Sequence, residues 1–274
     1  MTKFSSLIAI VLVAAACGNA TESRGEPRLI KVDKAGKERK PQSGGSGSVS
    51  TVSDLPPLDL SGMKLWNFSA EWHASEWNND LGAFPWKYDH VTQQADGDVS
   101  FVLDQAGAPQ LQAVNGTPAH TDGTWEVDVT LPTMTSGVIV APLWLYNQKT
   151  RDEVDFEFIG TKGLQVTVHG YPGGKHRQFP VQVFWGQDMS GQRMRLGIAV
   201  DQQRERISMI VDGEVVHRFT KQEMGFFPTS AMRPLMEMWA VDPTDGNLVN
   251  WAGPWNGIGG NALRMTVHGY RYSQ

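Results

Sequence analysis

Residues 151–160 read Arg-Asp-Glu-Val-Asp-Phe-Glu-Phe-Ile-Gly, so Glu153, Asp155 and Glu157 alternate with Val154, Phe156 and Phe158. Successive side chains of a strand point to opposite faces. The spacing therefore predicts one apolar face for a core and one face carrying three carboxyls. The Cα atoms of Glu153 and Glu157 would lie ~13 Å apart. If both side chains lean inward, their carboxyls come within roughly 5–6 Å, close to the ~5–5.5 Å separation of a retaining glycosidase. Clustered carboxyls cannot all ionise cheaply, so at least one pKa should rise. A protonated member can then serve as acid while an ionised one attacks a sugar. Periodicity alone does not assign the two glutamates, and an ordinary half-exposed strand with solvated acids remains the competing reading.

The elements that must hold this strand are short and alternating. They are Val99–Asp104, Thr124–Leu131, Gly137–Tyr146, Glu153–Ile159, Leu164–His169, Val181–Trp185, Arg193–Val200, Arg206–Val211, Glu214–Phe219, Leu235–Trp239 and Ala262–Tyr270. Gly, Pro, Asn and Asp punctuate them. Asp212-Gly213 lies between two β-rich runs and predicts a tight hairpin. No long stretch keeps a helical period, and Lys221–Phe226 offers a turn or two of helix at most. Many short strands at regular spacing predict an all-β sandwich or barrel. Residues 56–274 are expected to form it as one domain.

The first 55 residues read differently. Lys3 precedes an apolar run, Leu7 to Ala16, of roughly ten residues, too short to span a ~30 Å hydrocarbon core. Residues 1–17 thus have the layout of a secretory signal peptide. Ala14-Ala15-Ala16-Cys17 resembles the bacterial lipoprotein processing box, whose cysteine becomes the first mature residue and carries lipid. A plain Ala-x-Ala cleavage site is the alternative. Gly18, rather than Asp, follows the cysteine, which by resemblance to enterobacterial sorting rules leans towards the outer membrane. Residues 18–55 are charged and then Gly/Ser-rich, cannot bury enough surface to offset chain entropy, and are expected to be a flexible tether. The expectation is an exported protein, lipid-anchored at Cys17, with a secreted or periplasmic location as the alternative.

The whole chain has 274 residues, 24 basic and 29 acidic side chains, and a formal net charge of −5. That balance offers no basic stripe for phosphates, so no nucleic-acid partner is expected. Cys17 is the single cysteine, which excludes an internal disulfide and a Cys-based zinc site. His169 and His176 flank Tyr171-Pro-Gly-Gly-Lys175, too few ligands to predict a metal site. The ten Trp should fill a large core or line a binding surface.

The run Glu153–Gly160 resembles the active-site strand of glycoside hydrolase family 16, with Glu-x-Asp-x-Glu on a regular strand. The similarity extends over about Val99 to Tyr272. It takes in Thr124-Trp125-Glu126-Val127, Gly137 to Trp144, Ile207 to Gly213, Met236 to Trp239 and Asn250-Trp251-Ala252-Gly253. This resemblance implies a curved β-jelly-roll sandwich, concanavalin A-like, with a sugar cleft on its concave face and retention of configuration. By matching position it implies Glu153 as nucleophile, Asp155 as its assisting partner and Glu157 as general acid/base. Trp239 and Trp251 would face the sugar. Trp144 and Trp125 are second-tier sugar contacts, with core packing as the alternative for each Trp. Many members carry Asn and Tyr where this chain reads Val168-His169-Gly170-Tyr171, and His169 becomes a candidate cleft hydrogen-bonding group. The regular strand, without an extra residue, leans towards lichenases, xyloglucan-active enzymes and exopolysaccharide depolymerases. The implied activity is endo-acting hydrolysis of a β-linked glucan or bacterial exopolysaccharide, with no cofactor required, and a monomer is expected. A structural calcium ion is a further implication, with no ligands assigned. A transglycosylase on the same scaffold and a non-catalytic lectin are the rival readings.

Overall fold

The computed structural model describes residues 53–274; the signal segment 1–17 with Cys17, and all but the last residues of the expected tether, lie outside the described residues. Among the described residues fourteen strands are formed. In chain order they are β1 (Trp72–Ala74), β2 (Val91–Gln93), β3 (Val99–Leu103), β4 (Gln110–Ala113), β5 (Gly123–Thr130), β6 (Val138–Tyr146) and β7 (Glu153–Ile159). They continue with β8 (Gly163–Gly170), β9 (Arg177–Val183), β10 (Arg193–Asp201), β11 (Arg206–Val211), β12 (Glu214–Thr220), β13 (Arg233–Ala240) and β14 (Leu263–Ser273). Two short α-helices, α1 (Lys221–Met224) and α2 (Gly246–Ala252), complete the frame.

The strands make two seven-stranded sheets, ordered β1-β4-β13-β6-β7-β8-β9 and β12-β11-β10-β5-β14-β3-β2. The pairing is antiparallel in both sheets. This is a jelly-roll sandwich. Its core lies between the sheets, because each strand directs every second side chain inward. Val154, Phe156 and Phe158 of β7 have no exposed surface and join that core. Each stabilises the fold by roughly 2–3 kcal/mol relative to exposure. The same alternation turns Glu153, Asp155 and Glu157 to the outward face of the first sheet.

Local chemistry explains where strands end. Asp212 and Gly213 join β11 to β12, both at positive φ (51° and 82°), the geometry of a type I′ hairpin turn. At the end of β9, Phe184 has φ of 52°, so the strand expected over Val181–Trp185 stops at Val183 and instead begins earlier, at Arg177. Gly163, at φ 112°, opens β8 where an added Cβ would lie 2.5 Å from the Phe184 carbonyl oxygen.

Candidate active site

β7 lies between β6 and β8, and antiparallel register fixes what flanks each acid. Glu153 stands opposite Tyr146 of β6 and His169 of β8. Asp155 stands opposite Trp144 and Thr167. Glu157 stands opposite Gln165, and on its other side β6 is irregular between Val140 and Leu143. One strand further, Glu237 of β13 pairs with Ala141 of β6 and Gln110 of β4.

The three acids are held differently. Glu157 Oε2 accepts from Gln165 Nε2 at 3.2 Å and from Thr167 Oγ1 at 3.3 Å. Asp155 is 3% exposed. Its Oδ2 lies 3.2 Å from His169 Nε2, close enough for an ion pair but not aligned for a hydrogen bond, and this oxygen has no hydrogen-bond partner. Glu153 Oε1 is 3.7 Å from the same nitrogen. The His169 ring is itself anchored, with Nδ1 3.1 Å from His176 Nε2.

Burial pushes the pKa of all three acids upward. For Glu153 the neighbouring Asp155 charge adds to this and His169 opposes it. For Asp155 the charges of Glu157 and Glu237 add to it, while a hydrogen bond with Glu153 opposes it. Two carboxyls that share a hydrogen bond must hold a proton between them. For Glu157, His169 and the hydrogen bonds from Thr167 and Gln165 oppose burial.

Glu237 was not singled out by the sequence. It is 2% exposed, accepts from Gln110 Nε2 at 2.6 Å, and is pushed by burial to about 7. Gln110 Oε1 in turn accepts from Ser75 Oγ at 2.5 Å. The available signal was an acid in the polar phase of the apolar run Leu235–Trp239.

The tryptophans divide. Trp144 lies on the same sheet as the acids, 3% exposed, and its indole Nε1 has no partner. Trp251 of α2 is half-buried against the core, and its carbonyl accepts from Lys162 Nζ at 2.6 Å, beside the β7–β8 turn. Trp239 is on β13 but is 3% exposed and packed in the main core, with its indole hydrogen-bonded to Glu237. Trp239 nevertheless stands two residues after Glu237 and so on that acid's face of β13; next to it, Ala83 N–H donates to the Ala240 carbonyl and Asp242 N–H to the Leu81 carbonyl. The expectation at Trp125 is corrected. This tryptophan sits on β5 in the second sheet, 1% exposed, against Tyr272 at 5.0 Å, so it is a core residue away from the acids. Trp66, which the sequence did not single out, is 55% exposed and lies 6.1 Å from Trp77 and 6.2 Å from His73.

One atom each from Glu153, Asp155 and His169 lies within 4.8 Å of the others, so these residues could hold a metal ion. Calcium takes six to eight oxygen ligands. Two carboxylates and an imidazole are too few oxygen ligands to make this cluster a calcium site.

At the Glu153 end, a small open pocket is lined by Tyr146, Arg151, Glu153, His169, Tyr171 and His176. Chemically, clustered carboxyls of this kind can divide into an ionised member and one that holds a proton.

The family model described as glycosyl hydrolases family 16 matches residues 78–254. A solved β-glucanase of Bacillus licheniformis is similar in structure, with a TM-score of 0.59 and 19% identity over 74% of this chain and 92% of that one. The catalytic domain of an endo-1,3-β-glucanase (laminarinase) from Thermotoga petrophila gives 0.56 and 18%, over 74% and 90%. The Crh5 transglycosylase gives 0.55 and 20%, over 76% and 85%. At these identities the likeness establishes the fold. Among curated proteins none matches the chain.

Proposed function

This chain belongs to glycosyl hydrolases family 16, and on that premise we propose that it is an endo-acting retaining glycoside hydrolase of a β-linked glucan or bacterial exopolysaccharide. The observation that carries the reading is β7 itself: Glu153 and Glu157 share one face, with Asp155 between them and a polar sheet on either side.

The mechanism follows from the surroundings of each acid. For attack, the proton shared by the Glu153–Asp155 pair has to sit on Asp155, which then donates a hydrogen bond to the Glu153 carboxylate. With that proton in place, the charge nearest Glu153 is removed, and His169 opposes the burial that would otherwise protonate it. Glu153 attacks the anomeric carbon and forms a glycosyl ester. Glu157, poised by Gln165 and Thr167, gives its proton to the departing sugar oxygen. As a carboxylate, Glu157 then takes a proton from water, whose oxygen attacks the anomeric carbon and releases Glu153. Trp144 Nε1 is an unsatisfied donor on the acid-bearing sheet, but it is buried and would reach a sugar hydroxyl only if the residues over it moved. Trp251 at the β7–β8 end offers an apolar face to a ring.

The test is a panel of mixed-linkage glucan, xyloglucan and bacterial exopolysaccharides, with products separated by chromatography. Endo-hydrolysis releases short oligosaccharides with new reducing ends. Rearranged chain lengths without net reducing ends would replace the reading with transglycosylation, and sugar binding without products would replace it with a lectin. The reading also includes display on a membrane through lipid at Cys17. Replacing Cys17 with Ser should move the protein from the membrane to the soluble fraction, and an unchanged distribution would reject the anchor.

A further inference from the structure

Beyond the three acids, the Glu153 end of the site has a feature that simple cleavage of a neutral glucan does not need. Four flat side chains form a column from the rim to the acids. The Arg151 guanidinium lies 4.0 Å from the Tyr171 ring centre. Tyr171 is 5.0 Å from His176, and His176 stacks on His169 at 5.3 Å with only 6° between the planes. His169 then meets Asp155 and Glu153.

Arg151 brings its charge here without a protein counter-ion. Among the described residues no carboxylate forms an ion pair with it; the adjacent Asp152 is turned to Ser230 Oγ at 2.6 Å. Its charge acts on Tyr146, Tyr171 and His176. It is also exposed, and sits at φ 61°, a left-handed conformation that costs a non-glycine residue roughly 1–2 kcal/mol. The conformation ends the β6–β7 turn, with Arg151 N–H donating to the Asn147 carbonyl at 2.7 Å.

Further cations ring the pocket's two turns. Lys149 is exposed in the β6–β7 turn, and Lys175 and Arg177 are exposed around the β8–β9 turn. A chain of net charge −5 thus gathers positive charge at one end of its acid-bearing strand. Neither the Tyr146 nor the Tyr171 hydroxyl has a hydrogen-bond partner among the described residues. Burial lifts both phenols above their ordinary range, Tyr146 to about 12, so both remain hydrogen-bond donors. An unpaired guanidinium flanked by donors suits a planar carboxylate, which it can hold through two parallel hydrogen bonds.

We propose that the pocket of Tyr146, Arg151, Tyr171 and His176 is a subsite for a carboxylate on the sugar chain, so that the substrate is an acidic polysaccharide. The carboxylate belongs either to a uronic acid or to an acidic substituent such as a pyruvate ketal or a succinyl half-ester. The proposal rests on the hydrolase reading for its place beside Glu153. It adds a substrate class that this reading leaves open.

The test compares a mixed-linkage glucan with the same glucan partly oxidised at C6 to uronic acid, and with pyruvylated and succinylated exopolysaccharides. The natural protein should favour at least one carboxylated substrate at least tenfold in kcat/KM. Which of them is favoured identifies the source of the carboxylate. Arg151→Gln should bring the ratio of carboxylated to neutral kcat/KM close to one, and Arg151→Lys should leave part of the preference. Raising salt should weaken action on the carboxylated substrate and spare the neutral one; this arm needs no variant and so survives a misfolded one. Preference for the neutral glucan over every carboxylated substrate, or an equal loss on both classes in Arg151→Gln, would overturn the proposal while leaving the hydrolase reading intact. If no substrate is cleaved, calorimetry with carboxylated and neutral oligosaccharides decides. Binding of the carboxylated sugar that weakens tenfold in Arg151→Gln would support the subsite and reject the hydrolase; no binding, or no difference between the proteins, would reject the subsite.

Discussion

Glu153 and Glu157 occupy one face of one strand, four positions apart, yet their surroundings are opposite in kind. Around Glu153 are an imidazole, an arginine at the rim, two tyrosines and a second histidine. Around Glu157 are a neutral amide and a hydroxyl, and beyond them a buried acid, Glu237, joined to Gln110 and Ser75. Burial pushes both acids up and His169 opposes it at both; at Glu153 the charges of Asp155 and Glu237 push further in the same direction, whereas at Glu157 the hydrogen bonds from Thr167 and Gln165 oppose it. Identical side chains thus acquire different tasks from the strands beside them, which is how one β-ladder can present both a nucleophile and an acid.

The strongest way to break this contrast is to compare Glu153→Gln with Glu157→Gln on two substrates. On polysaccharide, Glu157→Gln should lose about 10²–10⁴-fold in kcat, the range of a general acid. On an aryl glycoside whose phenolate leaves without protonation, the loss in its first step should largely disappear. Glu153→Gln should be inactive on both. Equal losses on the two substrates for Glu157→Gln would remove the distinction between the ends.

A smaller effect concerns stability at the Glu157 end. Glu237 is held at about 7 in the fold, against an ordinary glutamate value of ~4.3 when unfolded. A raised carboxyl binds its proton more tightly in the folded state. Its contribution is therefore full below the unfolded pKa and is lost as pH rises towards the folded one. Between those values the loss should be up to about 3–4 kcal/mol. Glu237→Gln should flatten the urea-measured stability profile between about pH 4.5 and 7. An unaltered slope would mean that Glu237 does not titrate there.

Much of the frame could be read before any coordinates. β7 and β11 have the boundaries expected from alternation, because their apolar phases face a core without interruption. β1, β2 and β4 were not anticipated. Trp72-His73-Ala74, Val91-Thr92-Gln93 and Gln110-Leu111-Gln112-Ala113 are too short to show a period, and pairing with longer strands makes them strands. The acids of the site were legible for the same reason as β7: they are neighbours in sequence. Their partners were not. Gln165, Thr167, Tyr146, Glu237 and Arg151 arrive through register across separate strands and through a turn, which no single segment encodes. Trp125 shows the converse. Its neighbours in sequence resemble a strand of the family and made it a second-tier sugar contact, but the second sheet claimed it for the core.

The anomeric form of the first product released tests the central claim most directly. Proton NMR, recorded within the first turnovers on a β-linked oligosaccharide, should show the β-anomer appearing before mutarotation supplies the α-anomer. That result requires two displacements, one by Glu153 and one by water activated at Glu157. Initial release of the α-anomer would mean a single displacement by water, and would contradict the assignment of Glu153 as a nucleophile.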